Sequence, residues 1–64
     1  MHFPHTMTPV RVSVAFIRIR AGFRSGRYSA TEYARKTSAF WGAVADRGEE
    51  FANAVILELR GIDD

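Results

Sequence analysis

The sequence predicts an α+β domain: a long N-terminal β-strand over about residues 10–23, bulged near 16–17, then amphipathic helix. The helix is expected from about residue 30, broken or kinked near Gly48, with a second helix running to about residue 60. Three features carry that expectation. They are a two-residue apolar alternation in the first third, a capping box at Ser29, and apolar residues at three- and four-residue spacing beyond it.

Val10, Val12, Val14 and Phe16 alternate with Arg11, Ser13 and Ala15, which is the period of a half-buried strand, and Pro9 can open one. At Phe16 and Ile17 the parity flips, and Ile17, Ile19, Ala21 and Phe23 then alternate with Arg18, Arg20, Gly22 and Arg24. A β-bulge inserts one residue and restores both apolar sets to one face. The other face would then be lined by Arg11, Arg18, Arg20 and Arg24. A helical reading at about 100° per residue brings Arg11 and Arg18 together but sends Arg20 to the far side and leaves no clean apolar stripe, so the strand is preferred.

Glycines and serines between Gly22 and Ser29 supply turn chemistry. Ser29 followed three residues later by Glu32 matches the capping box, in which each side chain satisfies an orphan backbone N–H. From there Tyr33, Thr37, Phe40, Trp41, Val44, Phe51, Val55, Ile56 and Leu59 form a helical stripe, and Glu32 and Lys36 suit an i,i+4 pair. Gly48 interrupts the stripe, and Glu49 and Glu50 suit a new helix N-terminus. Residues 54–60 are also readable as a strand, since Leu57 falls on the polar side of a helix. The expected core, or the interface with a second copy, is Phe16, Ile19, Phe40, Trp41, Val44, Phe51, Val55 and Leu59.

One domain is expected over residues 9–64, with residues 1–8 as a loose leader. A chain this short buries only about 60% of the surface its unfolded form exposes. Without cysteine it cannot add a disulfide, and the unpaired edges of a long strand need covering, so a homodimer is expected. No run reaches the roughly 20 apolar residues that cross a bilayer, and no membrane is expected as a partner. The lack of cysteine fits a cytoplasmic location.

Charge is unevenly placed. Residues 1–30 hold five arginines and no acid, giving +5, whereas residues 31–64 hold four bases and seven acids, giving −3. Arginine's planar fork pairs bidentately with phosphate or carboxylate. Arg11, Arg18, Arg20, Arg24 and Arg27 are therefore the candidate contacts for a polyanion, either nucleic acid or a nucleoprotein complex. The alternative is an inhibitor or accessory subunit that presents Phe40, Trp41, Val44, Phe51 and Val55 to a larger protein.

Nucleophile elbows, phosphate loops, zinc spacings and paired catalytic carboxylates are absent, so neither an enzyme nor a cofactor is expected. His2 and His5 lack a third ligand, and no metal site is assigned.

The run Tyr28–Ala34, with Ala34, Ser38 and Val44 at positions such motifs favour, is similar to the opening of an excisionase-type helix-turn-helix. Against it, Thr37 fills a normally apolar place and no glycine marks the turn. A strand followed by two helices also resembles ribbon-helix-helix repressors, whose paired strands read the major groove. The residues from Ile17 to Ser29 are too many for that connection, and no membership follows.

Overall fold

The computed structural model describes residues 1–63, which form three α-helices and no strand. They are α1 (Pro9–Arg24), α2 (Ala30–Ala45) and α3 (Glu49–Asp63), and each packs against the other two. The fold is all-α. The α+β expectation and its long strand over residues 10–23 are overturned, and residues 54–60 lie within α3.

The misreading has a physical cause. Val12, Phe16, Ile19 and Phe23 recur at spacings of four, three and four, and so do Val10, Val14, Ile17 and Ala21. The first set lies on one side of α1 and the second on the other, about 160° away at about 100° per residue. Interleaved along the chain, the two stripes reproduce a strand's alternation with one parity flip in the middle. The apparent bulge is the three-residue step that both stripes share.

Helix also solves the hydrogen-bonding problem that the strand posed. A lone strand of this length would leave a row of backbone donors and acceptors unmet, whereas α1 satisfies its own. Its start follows the rules of helix entry: the Thr8 Oγ1 accepts from the Arg11 N–H at 3.3 Å, and Pro9 occupies the first turn, where no donor is needed. The many β-branched residues lower helix propensity only modestly, and packing against two neighbouring helices outweighs that.

Between α1 and α2 the chain turns through Gly26, whose φ of 83° suits glycine. Helix α2 begins where the capping box places it. The Glu32 N–H donates to Ser29 Oγ at 3.2 Å, and the serine hydroxyl in turn donates to Glu32 Oε1 at 3.3 Å. At Gly48, with φ 102°, the chain leaves α2 and enters α3; its N–H donates to the Ala45 carbonyl and its carbonyl accepts from Ala52. The break expected at this glycine is a three-residue turn.

Phe3, Val12, Ile19, Phe40, Ala43, Val44 and Val55 form the buried core, with Phe16, Trp41, Phe51 and Leu59 packed against it. Of the eight residues expected in the core, Ile19, Phe40, Val44 and Val55 are buried in it and the other four pack against it, although the element carrying Phe16 and Ile19 is of the other type. Phe40 is the hub: the ring centroids of Phe3, Phe16 and Trp41 lie 5.5, 5.3 and 5.0 Å from its own. Such tilted and edge-on pairs each add about 0.5–1.5 kcal/mol beyond area burial.

Residues 1–8, expected as a loose leader, touch the helices through the Phe3 ring and through backbone carbonyls. Phe3 enters the core, and the Arg47 guanidinium donates to the carbonyls of Pro4, His5 and Met7 at 2.6, 3.2 and 3.3 Å. The same guanidinium lies 4.0 Å from the Phe51 ring centroid.

Candidate functional site

The four arginines assigned to one strand face, Arg11, Arg18, Arg20 and Arg24, are distributed by the helix over several directions. Arg11 and Arg18 are one heptad apart, within about 20° of each other around α1 and separated by about 10 Å along it. Both are exposed. Arg20 points about 160° away from Arg18; it is half-buried, with its guanidinium 5.9 Å from the Phe16 ring centroid. Arg24 is exposed in the last turn, about 120° around the helix from Arg18. Arg27 is exposed in the turn after α1.

Two adjoining grooves define which of these groups act together. The first, of about 350 Å³, is lined by Met7, Val10, Arg11, Val14, Ala15 and Arg18. The second, of about 470 Å³, is lined by Arg18, Ala21, Gly22, Ser25, Arg27 and Tyr28. Arg18 belongs to both, which links Arg11 in the first groove to Arg27 in the second. Arg20 and Arg24 line neither groove.

The part of the second groove that carries Arg27 and Tyr28 is fixed by packing. The backbone N–H groups of Arg27 and Tyr28 both donate to the Gly22 carbonyl, at 2.8 and 3.2 Å, which folds the turn back onto α1. A β-carbon at residue 22 would collide with the Tyr28 ring, so only glycine lets that ring lie against the helix. Lys36 Nζ sits 4.7 Å from the Tyr28 ring centroid. Sequence reasoning placed Lys36 beside Glu32 as an i,i+4 pair; its approach to the turn depends on how α2 docks, which no local pattern encodes.

Electrostatically the surface is one-signed. Helix α1 carries four arginines and no acid, and among the described residues Arg11, Arg18, Arg24 and Arg27 are not paired with carboxylates. Neither groove contains a carboxylate, histidine or cysteine able to move a proton or bind a metal. Among the described residues no three such side chains gather into a potential metal site, and no helix is long and apolar enough to cross a membrane.

The aromatic stripe is mostly interior. Phe40, Val44 and Val55 have no exposed surface, while Trp41 and Phe51 are half-buried against them, so this set offers little for a partner to touch. Among the described residues there is no strand edge to cover, which removes part of the case for a homodimer. No known protein family, curated protein or solved structure matches this chain.

Proposed function

We propose that this is a small non-enzymatic binding protein that engages an anionic partner through the outer side of α1. Arg11, Arg18 and Arg27 supply the contacts. The observation that carries this is Arg18's position in the walls of two adjoining grooves, one also lined by Arg11 and the other by Arg27. Exposed guanidiniums lining such grooves attract carboxylate or phosphate arrays, and neighbouring cations raise that attraction further. The aliphatic and arginine lining supports binding and offers no acid–base pair for catalysis.

The test is fluorescence anisotropy with labelled polyglutamate and labelled duplex DNA across a salt series, using wild type and the triple variant Arg11→Ala/Arg18→Ala/Arg27→Ala. Three phosphate contacts give a slope of log affinity against log salt of about −2.7 on duplex DNA. Loss of binding to both probes in the triple variant is the expected result. Failure of wild type to bind either probe at low salt contradicts the proposal.

A further inference from the structure

Between the arginines of α1 runs a surface that charge alone does not explain. Val10 and Val14 are 52% and 40% exposed, Ile17 is half-buried and Ala21 is exposed. Their four-three-four spacing makes a straight seam about 16 Å long, opposite the core-facing stripe. Arg11 and Arg18 border the seam on one side and Arg24 borders it on the other. Such an apolar seam with charged flanks is the pattern by which one helix recognises another.

We propose, on the basis of the anionic-partner reading above, that the occupant of this face is an acidic amphipathic helix of another protein. Its apolar stripe would lie on Val10, Val14, Ile17 and Ala21, with its glutamates or aspartates meeting Arg11 and Arg18. Charge complementarity selects this occupant over the others. A phosphate backbone would satisfy the arginines but leave the seam facing hydrated charge.

A bilayer surface calls for larger anchors such as Trp, Phe or Leu, whereas Val, Ile and Ala allow the close approach of two helices. A second copy of α1 would set arginine rows against each other, which like-charge repulsion opposes. Helix α3 of a second copy is acidic, but its exposed large apolar residues, Ile56, Leu57 and Ile62, point in directions about 100° or more apart and form no matching seam.

The test uses five anionic probes. One is a peptide with leucines at four-three-four spacing flanked by glutamates; the second has the same composition in scrambled order. Polyglutamate, duplex DNA and phosphatidylserine-containing vesicles complete the set. The ordered peptide is expected to bind at least about tenfold tighter than the scrambled one and to gain helicity on binding. Val14→Ser, and separately Val10→Ser, should erase that preference while leaving polyglutamate affinity and the melting temperature nearly unchanged.

Equal binding of ordered and scrambled peptides overturns the helix proposal while leaving the anionic reading intact. Tighter binding of DNA or vesicles than of the ordered peptide overturns it as well, as does a dimer that Val14→Ser dissociates. Loss of every anionic probe instead removes the charge reading on which it stands.

Discussion

Arg11 and Arg18 rise from the same side of α1 and line one groove across Val14. Arg20, only two residues beyond Arg18, lies over Phe16 on another side of the helix. Neighbours in sequence therefore have different work. Replacing Arg11 and Arg18 together by alanine should lower affinity for anionic probes by about tenfold or more at low salt, with stability changed by no more than about 0.5 kcal/mol. Arg20→Ala should do the opposite, lowering stability by about 1 kcal/mol through lost packing and cation–π contact while sparing affinity. Anisotropy and thermal denaturation of the same samples separate the two effects.

Gly22 and Tyr28 form a coupled pair. In an ordinary helix interior Gly→Ala stabilises by about 1 kcal/mol, but here the added methyl collides with the Tyr28 ring. Gly22→Ala alone should therefore destabilise by about 1–3 kcal/mol. In a Tyr28→Ala background the same change should become stabilising. Urea denaturation of the four proteins in this cycle measures the sign reversal.

Arg47 holds the N-terminal segment through three backbone carbonyls and lies against Phe51. Arg47→Ala should cost about 1.5–3 kcal/mol, and lysine should rescue little because a single ammonium cannot span the three carbonyls. Hydrogen exchange should report faster opening of residues 3–8 than of α2. Phe3→Ala should loosen the same segment without removing the arginine clip.

The second half of the chain was legible because its local rules agree with one another. Ser29 and Glu32 marked the start of α2, Gly48 marked the break, and the apolar spacing named Phe40, Val44 and Val55 as interior. Helix α1 was not legible from periodicity because it is apolar on two opposite faces, and the exposed face contributes Val10 and Val14 to a pattern that mimics a strand. Thr8 and Pro9 held the correct signal, a cap followed by a first-turn proline. The link from Arg11 through Arg18 to Arg27 follows only once the element is a helix and the turn at Gly26 folds back. Burial of Phe3 has no local sign at all, since it depends on packing against Phe40, which lies in α2, far along the chain.

The most direct test of a two-faced α1 is the thermal unfolding of Val12→Asp beside that of Val14→Asp. In a strand these positions share a face and would respond alike; in the helix Val12 has no exposed surface while Val14 lies on the outer seam. Val12→Asp buries an unpaired charge and should cost more than about 3 kcal/mol, enough to abolish cooperative folding in so small a domain. Val14→Asp, beside Arg11 and Arg18, should change stability by less than about 1 kcal/mol. Equal collapse of both variants, or equal indifference to both, would contradict the account.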